Sequence, residues 1–378
     1  MRTIFLRLLV CLALPAIALS AAFSERFQTG DVKTDRCDPK CGPYAYTFEK
    51  DLELANPIDF YFDAEFLLMQ VREDGLEYAL INTNANGSSG NRFPVTGGDV
   101  ESFSSGRHHT DWNYGFRANM GFYMPHDNWN LDARWTYIRI KEDKSTHVQG
   151  TGVALPLWLG AYVDLQGNNK DASARWSGNF NTLDIRLGKP FHVSYFFVMH
   201  PHVGLRAAFI GQSYLARYCS AIGVAGTAST VGAEMKADND YWGVGIRGGI
   251  ETEWLFGKGW FLFGNFAAAI LYGQFDIDQS TDTTGGGYTI HDHVTTNSPD
   301  FDVALGLAWG HYFLKDTFHL TLKFAYEFQN WTDMNRFRKF YDSNTDSSAN
   351  QASPISNETV SRGDMTINGF AFKILMDF

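Results

Sequence analysis

Residues 370–378 read Phe-Ala-Phe-Lys-Ile-Leu-Met-Asp-Phe. Every second residue of this stretch, from Phe370 to Phe378, is large and apolar, whereas Lys373 and Asp377 stand on the other phase. Because side chains alternate between the two faces of a β-strand, the pattern predicts a strand with one apolar face and one mixed face. A strand of this kind that ends on an aromatic residue is expected to close a transmembrane barrel, with its apolar face towards lipid and its mixed face towards the lumen.

The same alternation recurs in a series of segments upstream of this stretch. These segments begin near Ile58, Trp112, Trp129, Ala174, Phe197, Trp242, Trp260, Phe301 and Phe318. Between them, short turns near residues 125, 189, 258 and 316 alternate with long polar segments at 72–110, 141–172, 211–240, 275–299 and 333–362. This strict alternation is typical of a bacterial barrel with periplasmic turns on one rim and extracellular loops on the other. A β-sandwich would also give many alternating strands, but not this asymmetry of loops.

The predicted fold is therefore an all-β, transmembrane, antiparallel up-and-down β-barrel of about ten strands over residues 57–378. Extra strands inside residues 72–110 would raise the number to twelve or more. In the fourth segment the apolar phase changes between Phe180 and Leu183, which predicts a β-bulge near Asn181. An apolar patch at residues 153–165 is too short and interrupted to span a membrane, and the sequence leaves open whether it folds into the barrel.

The amino-terminal segment has the pattern of a cleaved secretory signal. Residues 1–22 place Arg2 and Arg7 before an apolar run, and small residues at 20–22 suit cleavage. Residues 23–56 are polar and irregular and predict a periplasmic lead. The formal charge of −11 becomes about −13 without the signal, and this acidic balance argues against nucleic-acid binding. No other stretch is long and apolar enough for a transmembrane helix, so the expected location is the cell outer membrane.

The faces opposite the apolar ones carry charged residues on most strands. The predicted pore-lining acids are Asp63, Glu65, Asp132, Asp184, Glu251 and Glu327, and the predicted pore-lining bases are Arg117, Arg134, Arg186, Arg206, Arg247, Lys323 and Lys373. Opposed charged rows in a lumen can set ion preference and orient polar solutes. The alternative is that these residues pair and plug the barrel, since ten tilted strands enclose a backbone diameter of only ~20 Å.

Cysteine and histidine residues give weaker signals. Cys37 and Cys41 lie close together in an exported chain and are a candidate disulfide, whereas Cys219 is either a buried thiol or a bridge between chains. The sequences His108-His109 and His291-Asp292-His293 fall in predicted loops, where solvated side chains are commoner than metal ligands. The sequence contains no Gly-x-Ser-x-Gly motif. We therefore predict no catalytic residue, no metal site and no cofactor.

Several segments resemble the pore-forming major outer-membrane proteins of legionellae and chlamydia-like bacteria. They are Phe-Asp-Ala-Glu-Phe-Leu at 62–67, Arg-Glu-Asp-Gly-Leu-Glu-Tyr-Ala at 72–79, Asn-Thr-Leu-Asp-Ile-Arg-Leu-Gly at 181–188, Pro-His-Val-Gly-Leu-Arg at 201–206, Trp-Gly-Val-Gly-Ile-Arg at 242–247 and the final Phe378. The likeness covers most of the mature chain. It implies a porin-type channel for small hydrophilic solutes and ions, and it supplies no catalytic residues.

The expected partners are thus outer-membrane lipid, small hydrophilic solutes and ions, with a homo-oligomer left open and no nucleic acid. Two alternatives remain. The long loops suit an outer-membrane structural protein or adhesin, and histidine and acidic residues at an outer rim suit an outer-membrane protease.

Overall fold

The computed structural model describes residues 60–82, 98–103, 110–124, 129–149, 152–158, 169–194, 196–220, 230–283, 287–313, 318–341, 357–360 and 363–377. The predicted signal, the periplasmic lead, Cys37, Cys41, His108, His109 and Phe378 lie outside these residues. None of the described segments forms a helix long and apolar enough to cross a membrane.

Long antiparallel strands form a closed ten-stranded barrel. In chain order they are β1 (Phe60–Glu73), β4 (Asn113–Tyr123), β5 (Asn130–His147), β7 (Asn169–Gly188), β9 (Phe197–Ser220), β10 (Thr230–Gly257), β11 (Trp260–Thr283), β12 (Thr289–Phe313), β13 (Phe318–Asn335) and β16 (Gly363–Asp377). Each strand pairs with the next in this series, and β16 pairs with β1 from Tyr61 opposite Asp377 to Glu73 opposite Met365. The closing strand predicted from the sequence therefore does close the barrel.

The short strands lie outside this ring or extend one of its members. They are β2 (Ala79–Asn82), β3 (Asp99–Glu101), β6 (Val153–Pro156), β8 (Phe191–Ser194), β14 (Arg338–Tyr341) and β15 (Asn357–Val360). Strands β2, β3 and β6 form a separate three-stranded sheet, β14 pairs with β15, and β8 pairs with the start of β9. The segment 72–110 thus adds no strand to the barrel in the part of the chain that the structure describes.

The outward face of the barrel carries a continuous apolar band. Phe370, Phe372, Ile374 and Met376 on β16 are exposed, and so are Phe66, Leu205, Phe209, Trp242 and Ile246 on other strands. Ile246 is 67% exposed and Phe66 53% exposed, values that large apolar side chains rarely reach in water when they form one contiguous surface. A lipid environment accounts for this band.

The strands continue beyond the last outward aromatic residues, which are Tyr137, Phe209 and Trp242. In this continuation the apolar residues lie on the inward face and the polar residues on the outward face. The outward residues are now polar, as at Arg139, Asp240 and Asp276, whereas the inward residues are apolar, as at Ile210, Tyr241 and Phe275. The reversal marks the point where the outer surface changes from lipid to water. We assign this end to the extracellular side, because the long connections lie there.

This reversal corrects two predictions. No β-bulge occurs near Asn181, because β7 keeps its register with both neighbours from Asp171 to Gly188, and Trp176 and Phe180 simply face inward. The polar segments predicted as loops at 211–240 and 275–299 are mostly strand, since β9, β10, β11 and β12 extend into them. The sequence pattern did not indicate these strand extensions, because their apolar residues face the interior of the barrel instead of the outside.

The interior of the barrel has two layers. Charged residues fill the level of the lipid-facing band, and an apolar cluster that includes Trp176, Tyr214 and Trp331 fills the extracellular half. The apolar patch left open by the sequence contributes to the second layer, because Ala154 and Trp158 are buried in that cluster.

Candidate functional site

Every predicted pore-lining residue stands on the inward phase of its strand, opposite the lipid-facing residues. Some of their ion pairs join neighbouring strands, but Arg117–Glu327 and Arg186–Glu251 join strands that are not neighbours in the sheet, which is only feasible across the interior of the barrel. All of these side chains except Lys323 fall into three clusters, which lie inside the barrel at the level of the lipid-facing band.

The first cluster lies at the seam where β1 meets β16. Arg117 on β4 pairs with Glu65 on β1, and its two Nη atoms lie 2.9 Å from the two carboxylate oxygens of Glu327 on β13. Lys373 on β16 contacts Asp63 at 2.8 Å and Glu65 at 3.3 Å. These side-chain contacts connect four strands, β1, β4, β13 and β16, in addition to their backbone hydrogen bonds.

The second cluster is centred on Arg186 of β7. Its Nε lies 2.8 Å from Asp132 Oδ1 on β5, and its Nη1 lies 2.7 Å from Glu251 Oε1 on β10. Arg134 on β5 approaches the same Glu251 oxygen at 3.8 Å, and the hydroxyl of Tyr61 donates to Asp132 over 3.1 Å. Glu251 is therefore shared by two arginines.

The third cluster contains carboxylates that the sequence analysis missed. Arg206 on β9 holds Asp184 on β7 through contacts of 2.6 and 2.9 Å, and it also pairs with Asp300 on β12. Asp302 lies 2.7 Å from Arg247 and 3.6 Å from Arg206. Asp302 lies between the outward Phe301 and Val303, and Asp300 lies one position before Phe301, so the same alternation would have placed both aspartates on the inward face.

Four other titratable residues complete this charged layer. Lys323 on β13 pairs with Glu253 on β10 at 2.9 Å, and Asp377 on β16 lies 3.3 Å from Nδ1 of His319. With Glu253, Asp300, Asp302 and Asp377 included, acids outnumber bases on the inner wall of the described strands. The lumen therefore carries a net negative character at neutral pH.

Not all polar atoms in this layer are used by the protein. Nε and Nη1 of Arg247, and both ring nitrogens of His202, are buried and have no hydrogen-bond partner among the described protein groups. His202 and Arg247 both belong to the β9–β10 pair, where His202 stands opposite Gly249 and Arg247 opposite Gly204.

Rings in this layer lie flat against the inner wall where a glycine stands. A Cβ built on Gly249 would lie 2.7 Å from His202 Nε2, and one on Gly121 would lie 2.5 Å from the ring of Tyr61. Only glycine permits such a close approach of a ring to the backbone of the neighbouring strand.

Above the charged layer, loop residues fold inward. We define the loop plug as Leu76, Tyr78, Ile81, Phe103, Trp158 and Phe337, all buried in the apolar cluster. Trp158 Nε1 donates to the Glu77 carbonyl over 2.7 Å, and its ring centroid lies 5.2 Å from that of Tyr214 on β9. The hydroxyl of Tyr218 donates to the Tyr78 carbonyl. The plug therefore rests against the barrel wall through few polar contacts and extensive apolar ones.

Two carboxylic acids lie inside the extracellular extension of the barrel, beyond the lipid-facing band. Burial raises the pKa of Glu142 to about 7, opposed by the hydrogen bond that its side chain accepts from the Asp111 backbone N–H. Burial also raises the pKa of Glu73 to about 8, and its only described side-chain partner is Gln212 at 3.5 Å. Both groups titrate close to physiological pH.

The other candidates that the structure describes are His291, His293 and Cys219. His291 and His293 lie on β12 rather than in a loop and face outward, where they pair with Asp278 and Asp276 of β11. No group of three metal-binding side chains is found among the described residues. Cys219, also in the described part of β9, is a half-buried free thiol.

A closed barrel with a lipid-facing apolar band and a charged interior defines an outer-membrane β-barrel protein. The family model described as Legionella pneumophila major outer membrane protein precursor matches residues 56–378, and the chain belongs to that family. The family resemblance drawn from the sequence is thereby confirmed. No curated protein matches the chain.

Solved structures show only distant likeness. A mutant of the monoaromatic hydrocarbon channel TodX has 8% identity and a TM-score of 0.29 over 85% of this chain and 91% of the other. The toluene transporter TodX of P. putida has 7% identity and a TM-score of 0.23 over the same shares. A Pseudomonas aeruginosa FadL homologue has 8% identity and a TM-score of 0.25 over 84% and 89%. At these scores the likeness carries no argument about this chain.

Proposed function

We propose that this outer-membrane protein is a channel for passive diffusion of ions and small hydrophilic solutes through its charge-lined lumen. The observation that carries the proposal is the inner wall at membrane level, where charged side chains meet across the lumen and rings lie flat over glycines.

The excess of acids on this wall favours cations. Carboxylates that ring a narrow aqueous path lower the energy of a cation and raise that of an anion. Arg206 and Arg247, which face Asp300 and Asp302, moderate this preference, so the expected selectivity is modest. The ion pairs also narrow the path, and only small solutes are expected to pass.

The loop plug controls access to this path from the extracellular side. Its residues belong to the connections between strands, so the plug can move without breaking the barrel ladder. Conduction requires displacement of Trp158 and its neighbours from the wall residue Tyr214. The proposed channel is therefore a gated one, and the described conformation is its closed state.

Solute uptake into liposomes tests this function. Liposomes that contain the refolded full chain are expected to swell in a small sugar such as a pentose, more slowly in a disaccharide, and hardly at all in a trisaccharide. Liposomes with heat-unfolded protein serve as the control. Equal impermeability to every solute by correctly folded protein would contradict the proposal.

A structural or adhesive role is the second candidate. It is favoured by the extensions of β10, β11 and β12, which present Asp240, Asp276 and His293 on a polar surface outside the membrane. A folded barrel that is silent in every transport assay and binds host-cell surfaces through this sheet would support that role instead.

A further inference from the structure

Basic residues mark one side of the outer surface immediately beyond the lipid-facing band. Tyr137, Asn181 and Phe209 form one row across β5, β7 and β9. The next outward positions on β5 are Arg139 and then Lys141, opposite Asn179 and Ser177 of β7. These two side chains thus begin where the apolar band ends.

Arg139 and Lys141 differ from Arg175 and Arg217 on the same face in having no ion pair. Both are exposed, and no carboxylate contacts either of them among the described residues. Further out, Arg175 on β7 pairs with Asp143, and Arg217 on β9 pairs with Glu234 at 2.8 Å. The net positive charge of the patch therefore comes from Arg139 and Lys141.

A groove lies at the outer edge of this patch. It has a volume of about 400 Å³, and its lining includes Asp143, Ser173, Arg175, Leu215 and Arg217. The arginines, the serine hydroxyls and the leucine of this lining suit a polar headgroup, and the charge of Asp143 is balanced by its ion pair with Arg175.

The face of β10 and β11 carries the opposite charge. In the rows of Arg139 and Lys141, β10 presents Asp240 and Asp238, and β11 presents Asp276 and Asp278. An anion near the outer surface is therefore attracted to the face of β5, β7 and β9 and repelled by the face of β10 and β11.

We propose that Arg139 and Lys141, with the adjoining groove, bind the phosphate groups of the phosphorylated glycolipid of the outer leaflet, lipopolysaccharide. Its acyl chains would lie against Trp135, Leu183 and Phe209, which are exposed directly below. Its phosphates then reach the height of the two unpaired cations. Arginine suits this role because its planar fork matches phosphate oxygens. The proposal depends on the outer-membrane location and is independent of channel function.

Binding of purified lipid A to the refolded full chain in a zwitterionic detergent tests this site. The test variant is the double substitution Arg139→Gln with Lys141→Gln. The matched control is Lys236→Gln on β10, an equally outward lysine that pairs with Asp238 at 3.1 Å on the acidic side. Because all three positions are exposed, each variant is expected to fold, which heat-dependent migration in gels verifies.

The double variant is expected to bind phosphorylated lipid A roughly tenfold or more weakly than the wild type, since two basic residues near an anionic headgroup are lost. The Lys236→Gln control should bind within about twofold of the wild type. Removing both phosphates from lipid A should abolish the difference between the variants. Equal binding by the double variant and the control would overturn the proposal. Full competition by millimolar inorganic phosphate would also overturn it, because it would reveal a free-anion site rather than a lipid site.

Discussion

Arg117 on β4 and Glu327 on β13 face each other across the seam of the barrel and form two parallel contacts of 2.9 Å. Their strands are not paired, because β1 and β16 lie between them. The same arginine also holds Glu65 on β1. Closure of the barrel therefore rests on the β1–β16 ladder and on this side-chain bridge over it.

Removal of the bridging arginine should destabilise the barrel. Arg117→Gln leaves two buried carboxylates with one partner fewer, and breaking a buried ion pair in this way costs about 3–5 kcal/mol. Urea titration of tryptophan fluorescence in a detergent or bilayer measures the free energy of unfolding. The control is Arg217→Gln, whose ion pair with Glu234 is exposed and contributes about 0–1 kcal/mol. Equal losses in the two variants would contradict a structural role for the buried bridge.

The position of the membrane boundary makes a second prediction. Leu205 and Leu215 lie on the same strand and on the same outward face, but only Leu205 is below the last aromatic row. Leu205→Arg should impair membrane assembly, since arginine near the bilayer midplane costs about 2–4 kcal/mol. Leu215→Arg should assemble as the wild type does. The two variants are compared by their folding yield in lipid vesicles, which is measured from heat-dependent migration in gels. Equal yields would contradict the boundary.

The sequence predicted the barrel well wherever the outer surface faces lipid. Residues such as Phe372, Leu205 and Ile246 alternate with polar ones because one face of each strand contacts lipid and the other faces the interior. From this alternation we predicted the number of barrel strands and the residues that face inward. It failed where the strands leave the membrane. At Trp176, Phe180 and Phe275 the apolar face has moved inside, which pattern reading interpreted as a bulge or a loop.

The loop plug could not be predicted for a different reason. Trp158 and Phe103 are buried by contacts between distant connections, and Trp158 rests on Tyr214 of another strand. No local periodicity encodes such contacts. The ion pairs between the charged residues could not be predicted either. The strand pattern places Arg206 on the inward face, but it does not show that Arg206 pairs with both Asp184 and Asp300.

A third prediction concerns pH. The folded pKa values of Glu73 and Glu142, about 8 and about 7, lie above the ordinary value of 4.5. The folded state therefore holds these protons more tightly than the unfolded state. Their stabilising contribution is complete below pH 4.5 and is lost as pH rises through 7 and 8.

The thermal midpoint of unfolding should consequently fall as pH rises from about 4.5 to about 8 and level off above pH 8. The double substitution Glu73→Gln with Glu142→Gln should flatten this dependence. Glu234→Gln, at an exposed position, should leave it unchanged. A double variant with the same slope as the wild type would show that other groups cause the pH dependence.

A fourth prediction concerns the loop plug. Trp158→Ala removes the hydrogen bond to the Glu77 carbonyl and the packing on Tyr214, so the plug should leave the lumen more often. The control is Trp242→Ala on the lipid-facing surface, which should leave channel opening unchanged. In planar bilayers the open fraction should rise only for Trp158→Ala. An equal rise in both variants would point to a general loosening of the barrel.

The most direct test of the channel is a single-channel recording of correctly folded wild-type protein and Trp158→Ala under a potassium chloride gradient. The expected result is stepwise current in both, more frequent in the variant, with a reversal potential whose sign shows a modest preference for potassium over chloride. Silence of both proteins across the whole voltage range, or a clear preference for chloride, would contradict a conducting lumen lined by an excess of carboxylates.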